Sequence, residues 1–545
     1  MTSPSAPVRA RWLSLAAAVL LLDVSLTFQN IWPTPAVRWH GELSIELAVC
    51  VLGLVLAGRV LRRPRTGLLA AIAAVWTVLV VGHYAEVTAP ALYGREVNLY
   101  WDLRHVSAVA EMLATAAARW LVIVVVGASA GVLFLLFRVL RWAWRRLGEA
   151  VFDRQERRAL LVVATAVVTL FVVHRLGGWF AEVPLFPSPV TGTYAHQVRL
   201  VLNARAARHG GQVLPASPSM QADLSGIRGA DVLLFFIESY GAVAFERPEF
   251  AAQLAADRSA LAAAIHETHR DVVSAYVESP TFGGSSWLAH ITLLSGVEVR
   301  DPDTNALLMT QKRDTLVTAF ARQGYRTIGI MPGMWQSWPE GAFYGFDDIY
   351  GGARLDYRGP AFGWWDIPDQ FALAQVDALE LDRRPRAPAF VFFPTVSTHI
   401  PFSPTPPYQP NWARLLTDSP YDEAEADRAI NREPDWMDLG PDYVRAVSYA
   451  YQSLAGYLRR HPDGDFVMVL LGDHQPAAAV TGEGATWNVP VHIIANRRAV
   501  VDRLLMHGFH EGLAPVGPAI GHMPALVPIL FDAFASHPSS AGATP

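Results

Sequence analysis

Four apolar runs between residue 231 and residue 471 are each followed by side chains that can bind a metal ion or a phosphate. These side chains stand after or near the runs DVLLFFI, DVVSAYV, AFVFFP and FVMVLL, and they are Glu238, Ser286, His399, Asp473 and His474. Carboxylate oxygens and imidazole nitrogens are ligands that suit Zn²⁺ or Mn²⁺. A serine hydroxyl beside such an ion can act as a nucleophile at neutral pH. The pattern therefore predicts metal-assisted phosphoryl transfer.

Each of these motifs also has an ordinary structural interpretation. Glu238 could cap a helix, Asp473 could form a turn, and His399 could be a satisfied loop histidine. Ser286 follows Gly283 and Gly284, and a serine after glycines is a common helix N-cap. The same position would put its hydroxyl at the positive end of a helix dipole, where a phosphate is also favoured. All four motifs follow predicted strands, at the edge of the sheet where α/β domains bind ligands. This shared position favours one functional site over four separate structural roles.

The surrounding pattern alternates short buried strands with helices, which is typical of an α/β domain with a mostly parallel central sheet. The predicted strands are Asp231–Ile237, Asp271–Val277, Arg326–Met331, Ala389–Pro394 and Phe466–Leu471. The predicted helices are Ala251–His266, Leu316–Gln323, Pro368–Leu381 and Tyr443–Arg460.

The N-terminal third is of a different kind. The chain has 545 residues, of which 52% are hydrophobic and only 17% charged, and the apolar excess lies at the front. Five segments are long and apolar enough for membrane helices, which need about 20 residues. They are Trp12–Trp32, Leu43–Leu61, Gly67–Thr88, Ala117–Phe137 and Arg157–Phe180.

Arginines fix the expected orientation of these spans. The loop 59–65 holds four arginines and the stretch 138–158 holds seven. The positive-inside rule places both in the cytoplasm, together with the N-terminus. Five spans then leave everything after Phe180 outside the cytoplasm, so we expect a multi-pass protein of the cell (inner or cytoplasmic) membrane with an extracytoplasmic α/β domain.

The expected domains are a five-helix transmembrane domain over 1–180, a proline-rich linker over 181–225, a catalytic domain over 226–535 and a tail over 536–545. The net charge of −5 gives no sign of a nucleic-acid partner. A single cysteine, Cys50, excludes an intrachain disulfide and a zinc site built on several thiolates.

The ordered motifs LLFFIESYG, SPTFGGSSWLAHITLLSG, STHIPF and LLGDHQP, placed after five membrane segments, resemble the sulfatase-like branch of the alkaline phosphatase superfamily. The chain looks most like membrane-anchored lipoteichoic acid synthases and other phosphoglycerol transferases, and phosphoethanolamine transferases share the architecture. The resemblance implies that Glu238, Ser286, Asp473 and His474 bind one divalent metal ion, Mn²⁺ or Zn²⁺ in preference to Mg²⁺.

The resemblance also implies roles around the metal. His399 matches the histidine that contacts the substrate phosphate, and a weaker match puts Trp365 and Asp366 in the substrate pocket. His290 stands where the family often has glutamate or arginine, and we assign it to substrate binding with its role open. Counting back ten residues from the glycine of the family's Leu-(Ser/Thr)-Gly ending reaches Ser286, with Ser285 as the rival nucleophile.

Two differences from the family patterns narrow the range of expected activities. In true sulfatases the matching segment has the motif Cys/Ser-x-Pro-x-Arg, whereas residues 286–290 of this chain read SWLAH. Sulfate hydrolysis through formylglycine is therefore disfavoured. The lone cysteine differs from phosphoethanolamine transferases, which usually carry several disulfides. His492 could stand for one of their additional metal histidines, but we interpret it as an edge-strand residue.

We therefore expect a transferase that moves a phospholipid headgroup phosphate, phosphoglycerol or phosphoethanolamine, through a serine-linked intermediate to an envelope glycan or lipid acceptor. Three alternatives stay open. One is a sulfatase-like hydrolase of phosphate or sulfate esters, and another is a non-catalytic membrane protein that binds an envelope component. The third, a transporter, has the weakest support, because the sequence shows no inverted repeat or pair of broken helices.

Overall fold

A computed structural model describes residues 8–31, 34–60, 66–93, 97, 119–176, 185–209, 214–334, 341–363 and 366–536. The chain divides into two compact units. The first comprises Met1–Leu92 and Glu96–Gly211, and the second comprises Tyr93–Arg95 and Gln212–Pro545. Trp365, predicted to bind substrate, lies outside the described residues.

The first unit is helical. Its helices are Val8–Val24, Ile45–Val60, Thr66–Tyr93, Arg119–Ala150, Arg154–Arg175 and Val190–His209. A two-stranded ribbon pairs Gln29–Asn30 with Val37–Arg38. Buried leucines, alanines and Trp144 form its core, whereas Ile123, Val126 and Phe134 are more than 60% exposed, as side chains that face lipid would be.

Three helices in the described part of the chain are long and apolar enough to cross a membrane: Thr66–Leu92, Val122–Ala150 and Arg154–Arg175. The first two predicted spans correspond to shorter helices of 17 and 16 residues. The arginine-rich stretch after Phe137 is helical rather than a loop, since Arg119–Ala150 continues through it. The linker prediction likewise missed the helix Val190–His209.

The second unit contains one eight-stranded sheet. Its strands in chain order are β1 Asp231–Ile237, β2 Asp271–Glu278, β3 Arg326–Met331, β4 Asp348–Gly351, β5 Ala389–Pro394, β6 Phe466–Gly472, β7 Asn488–Ala495 and β8 His510–Glu511. The spatial order is β8–β2–β7–β6–β1–β5–β3–β4. The predicted α/β domain with a mostly parallel sheet is confirmed.

Strand direction decides where the site forms. The five strands β6, β1, β5, β3 and β4 are parallel to one another. β7 is antiparallel to both β6 and β2, so β2 runs in the same direction as the parallel set. The carboxyl ends of β1, β2, β5 and β6 consequently share one edge of the sheet, where open α/β sheets bind ligands.

Both faces of the sheet are covered. Leu233, Phe235 and Ile237 of β1 pack into one hydrophobic core, and the alternate residues Leu234 and Phe236 pack into the other. Burial on both faces explains why these strands are apolar throughout rather than alternating.

Helices and helical turns form the covering layers. They are Ser225–Ile227, Val243–Glu246, Pro248–Gln253, Ala255–Glu267, Ser286–Ser295, Pro302–Met309, Leu316–Arg322, Gly341–Tyr344, Gly352–Leu355, Asp369–Val376, Asp377–Leu381, Trp412–Leu415, Glu423–Ile430, Gly440–Arg460, Ala478–Thr481, Arg498–Met506, Met523–Ala525 and Leu526–Phe534. The long helix Gly440–Arg460 contributes Tyr443, Val447 and Leu454 to the first core.

Candidate active site

The ends of β1 and β6 bring two carboxylates and an imidazole together below the protein surface. Glu238 follows β1, and Asp473 and His474 follow β6; all three are buried. One ligand atom from each lies within 4.8 Å of the other two. His474 Nε2 is 3.3 Å from Glu238 Oε1 and 3.9 Å from Asp473 Oδ1. We call these three residues the acidic–imidazole cluster.

Ser286 reaches this cluster from the start of the helix Ser286–Ser295. Its Oγ donates a hydrogen bond to Glu238 Oε2 at 2.7 Å and lies 3.2 Å from His474 Nε2. Of the two candidate serines, Ser286 is the one whose hydroxyl makes these contacts, whereas Ser285 is exposed. As the first residue of the helix, Ser286 has its hydroxyl at the positive end of the helix dipole, which favours negative charge there.

A tight left-handed turn delivers Ser286 to this place. Gly283, Gly284 and Ser285 have φ values of 67°, 148° and 62°, a backbone region that glycine enters without steric cost and serine does not. The Gly283 amide donates to the Gln475 carbonyl at 3.0 Å, which ties the turn to the segment that carries the cluster. The strained residue stands directly before Ser286, as is common at functional sites.

The donor set fits a divalent cation. Asp473 Oδ1 accepts the amides of Ser239 at 2.8 Å and His474 at 2.7 Å, but its Oδ2 is buried and has no hydrogen-bond partner among the described residues. His474 Nδ1 lies 2.7 Å from the Gln475 carbonyl. A carbonyl only accepts, so Nδ1 carries a proton. In the neutral ring the Nε2 lone pair then faces the cluster, which is the tautomer of metal-binding histidines.

The two buried carboxylates of the cluster oppose each other's ionisation when no cation lies between them. Burial and the neighbouring charge of Glu238 raise the pKa of Asp473 well above its ordinary value. Burial alone would lower the pKa of His474, but the Asp473 and Glu238 carboxylates outweigh it and raise that pKa to about 9. Burial also opposes ionisation of Glu238, yet contact with His474 holds the pKa of Glu238 below its ordinary value. A bound cation would offset both buried carboxylates.

His399 stands on the loop that follows β5. Its Nδ1 lies 2.7 Å from the Ile400 carbonyl, and its charge is one of the influences that lower the pKa of Glu238. The Glu238 amide donates to Thr395 Oγ1 at 3.1 Å, so the Thr395 side chain joins the start of the His399 loop to the residue that carries the Glu238 carboxylate.

Asp369 is a residue that sequence reasoning missed. It is 7% exposed, and its two carboxylate oxygens accept the amides of Val396 and Ser397, each at 2.8 Å. The Asp369 amide is 3.2 Å from Ser397 Oγ, which accepts its hydrogen. Burial raises the pKa of Asp369 to about 6. Asp369 therefore clamps the two residues that lead into Thr398 and His399.

The other predicted substrate residues are less closely tied to the cluster. His290 lies one helical turn after Ser286 with its ring against Phe236, 4.7 Å between centroids, and Phe392 at 5.6 Å. Burial lowers the pKa of His290 to about 4. Asp366 has a left-handed φ of 58°, and its carbonyl accepts the Phe362 amide. Their roles toward substrate stay predictions.

His492 lies on β7, which is an interior strand between β2 and β6, so the edge-strand interpretation was wrong. Its ring nitrogens contact Ser274 Oγ at 2.7 Å and the Tyr240 hydroxyl at 3.0 Å, and the latter is 2.7 Å from the Tyr451 hydroxyl. His492 is 2% exposed.

Part of the chain matches a known protein family. Residues 300–493 match the Sulfatase family, a range that includes His399, Asp473 and His474 but not Glu238 or Ser286. No curated protein sequence matches the chain.

The chain is also similar to solved structures that are distant in sequence. The lipoteichoic acid synthase LtaP from Listeria monocytogenes is 14% identical over 53% of this chain and 70% of its own, with a TM-score of 0.35. The phosphoglycerol transferase GacH from Streptococcus pyogenes, in complex with sn-glycerol-1-phosphate, is 13% identical over 57% and 76%, with a TM-score of 0.35. The lipooligosaccharide phosphoethanolamine transferase A from Neisseria meningitidis, an integral membrane protein, is 13% identical over 96% and 94%, with a TM-score of 0.49.

Proposed function

We propose that this chain, which is similar to the sulfatase-like branch of the alkaline phosphatase superfamily, is a metal-dependent phosphotransferase that moves phosphoglycerol or phosphoethanolamine from a membrane phospholipid to an extracytoplasmic glycan or lipid acceptor. The observation that carries the proposal is the pair of contacts from Ser286 Oγ to Glu238 and His474. A hydroxyl held against a buried carboxylate–imidazole cluster is placed to act as a nucleophile once a bound cation activates it.

Glu238, Asp473, His474 and Ser286 would hold the cation, Mn²⁺ or Zn²⁺ by the mixture of carboxylate and imidazole ligands. When bound, the cation lowers the pKa of the serine hydroxyl and offsets charge on the phosphate oxygens. Backbone groups hold two of these side chains in place. The Ser239 amide donates to Asp473, and the Gln475 carbonyl accepts from His474.

The first chemical step joins Ser286 to the phosphate. Ser286 Oγ attacks the headgroup phosphorus, the phosphorus–oxygen bond to diacylglycerol breaks, and diacylglycerol leaves with a proton. The hydrogen bond to Glu238 Oε2 turns the hydroxyl proton toward the carboxylate and leaves an oxygen lone pair for the attack. The helix N-terminus at Ser286 stabilises the charge that builds up on phosphate oxygens.

The second step releases the group to an acceptor alcohol, whose oxygen attacks the phosphorus and restores the Ser286 hydroxyl. His399 would contact the phosphate during both steps, held by the Asp369 clamp on its loop. Trp365, Asp366 and His290 are proposed to contact the headgroup. Replacing the acceptor alcohol by water would turn the same steps into hydrolysis.

We also propose the membrane arrangement that brings such a substrate within reach. The five N-terminal apolar helices span the cell membrane over residues 1–180 with the N-terminus in the cytoplasm, 181–225 connects, and 226–535 is the extracytoplasmic catalytic domain before a tail at 536–545. Within the described ranges, three helices are long and apolar enough to span a membrane.

The direct experiment is to incubate the purified full chain with phosphatidylglycerol or phosphatidylethanolamine and with Mn²⁺ or Zn²⁺, and to identify the released lipid by mass spectrometry. The proposal predicts diacylglycerol that depends on Ser286 and on the cation. Added acceptor alcohols distinguish transfer from hydrolysis by the product that carries the phosphate. Release that persists in Ser286→Ala, or no release with either lipid, contradicts the proposal.

A further inference from the structure

The helical unit contains a large cavity that plays no part in the site described above. Its volume is about 810 Å³, which is within the range of ligand sites. Three helices form its walls. The lining residues are Thr77, Val78, Val81, Gly82, Ala85, Glu86, Pro90, Val97, Leu133, Gly192, Thr193, Tyr194, His196 and Gln197.

The helix Thr66–Tyr93 gives the cavity its length and depth. Most of its lining residues recur every three to four positions from Thr77 to Glu86 and so occupy one helix face. At 1.5 Å per residue, Glu86 lies about 30 Å along the axis from Thr66, and Thr77 lies about 16 Å from it. With Thr66 at the cytoplasmic boundary of a hydrocarbon core about 30 Å thick, Thr77 is at the midplane and Glu86 at the outer boundary. The cavity therefore has the depth of the outer leaflet.

The lining of the cavity changes from apolar to polar along this depth, which matches the acyl chains and headgroup of a lipid. The wall from the midplane outward is apolar at Val78, Val81 and Ala85. At the outer end, Glu86 accepts a hydrogen bond from the Thr193 hydroxyl, and His196 stands on the same helix as Thr193. An apolar body with a few polar groups at one end is the usual lining of a lipid or cofactor site.

Close packing of two helices builds this wall. The Tyr194 hydroxyl donates to the Val78 carbonyl at 2.6 Å across the position of Gly82, where a Cβ would lie only 2.0 Å from that hydroxyl. Tyr194 thus joins the helix Val190–His209 to the helix Thr66–Tyr93 beside the cavity. Gly192, by contrast, faces open space, with nothing within 4 Å of a Cβ built there.

We propose that this cavity binds one glycerophospholipid of the outer leaflet, with acyl chains along Val78, Val81, Ala85 and Leu133 and the headgroup at Glu86, Thr193 and His196. The proposal rests on the membrane arrangement given under Proposed function and names the place where that enzyme holds a lipid. Water is a poor occupant, because a void of this size lined mostly by carbon offers too few polar partners to hold it. Bilayer lipid is the medium that surrounds these helices.

The test fills the cavity and counts bound lipid. The full chain in detergent is titrated with phosphatidylglycerol or phosphatidylethanolamine, and native mass spectrometry measures the lipid retained. Gly192→Leu puts a side chain into the open space, and Ala85→Phe fills it from the facing helix. Gly131→Leu is the matched control, since Gly131 is on a membrane helix with equally open space but does not line the cavity. Circular dichroism and gel filtration check that each variant folds.

The proposal predicts one retained phospholipid per wild-type chain, binding at least about fivefold weaker in both filling variants, and unchanged binding in Gly131→Leu. Preference between the two lipids identifies the headgroup. Folded filling variants that bind like wild type would overturn the proposal, as would a wild-type chain that retains neither lipid. Ser286→Ala should bind lipid like wild type, so loss of its transfer activity tests the enzyme separately from the cavity.

Discussion

Ser286 Oγ lies 2.7 Å from Glu238 Oε2, although the two residues are 48 positions apart and on different elements. The contact exists because β1 and β2 end at the same edge of the sheet, with β7 reversing direction between β6 and β2. Glu238 leaves β1 directly, whereas Ser286 is returned to the edge by the turn after β2. The same edge carries Asp473 and His474 at the end of β6.

Replacing Ser286 by alanine should abolish turnover. Removal of a nucleophile that acts together with its activating groups costs roughly 10³-fold or more in kcat. The rate of diacylglycerol release from phosphatidylglycerol or phosphatidylethanolamine measures this loss of kcat. Ser285→Ala is the matched control, because the neighbouring hydroxyl is exposed, and it should keep most of the activity. The reverse ranking would make Ser285 the nucleophile.

Asp473→Asn should release the metal. The substitution keeps the shape of the side chain but removes the negative charge from the buried Oδ2, which has no hydrogen-bond partner among the described residues. We expect Zn²⁺ or Mn²⁺ affinity to fall at least about tenfold, measured by elemental analysis after dialysis against graded metal concentrations. Asp369→Asn, a change at another buried carboxylate, should keep its metal. Equal metal content in both variants would place the cation elsewhere.

Asp369 should act on catalysis through the His399 loop. Its carboxylate holds two backbone amides, and Asn can accept only one of these hydrogen bonds, so activity should follow the order wild type, Asn, Ala. Each lost bond to a charged group is worth about 1.5–3 kcal/mol. A positioning role predicts changed kcat and KM with unchanged metal content. A uniform loss of folded protein without any kinetic change would show that Asp369 is only structural.

His492 should make the stability of the second unit depend on pH. Burial, with a smaller contribution from Arg258, lowers the pKa of His492 to about 3, whereas an unfolded histidine titrates near 6.5. Between these values only the unfolded chain binds the proton, so acidification favours unfolding. The free energy of unfolding begins to fall as the pH drops through 6.5, and at pH 5 it is lower by about 2 kcal/mol.

The measurement is the denaturant midpoint of the full chain in detergent at pH 7 and pH 5. His492→Gln keeps a neutral polar side chain that does not titrate, and the midpoint should then change less between the two pH values. A variant with the same pH dependence as wild type would assign the effect to other groups.

The sequence was most informative where apolar runs are long and end in polar residues. The bounds of β1, β3 and β5 follow from their runs, because strands buried on both faces are apolar over most of their length. The cluster could be predicted for the same reason, since parallel strands place their carboxyl ends together. The residues Asp348–Gly351, four in number and partly exposed, gave no such signal.

Other features depend on tertiary partners that spacing does not reveal. Asp369 meets amides 27 and 28 positions away, and nothing near it in sequence marks that contact. The helix Val190–His209 is too polar on average to read as a membrane segment, yet it walls the cavity. The bounds of the membrane helices were uncertain because arginines end an apolar run without ending a helix, as in Arg119–Ala150.

The most direct test of the central claim is to look for the serine-linked intermediate. The full chain with Mn²⁺ or Zn²⁺ is mixed with phosphatidylglycerol or phosphatidylethanolamine, quenched in acid within the first turnover, digested and examined by peptide mass spectrometry. The account predicts one phosphoglycerol or phosphoethanolamine group on Ser286, dependent on the cation and absent from Asp473→Asn. Diacylglycerol release with no label on Ser286, or with the label on another residue, would contradict it.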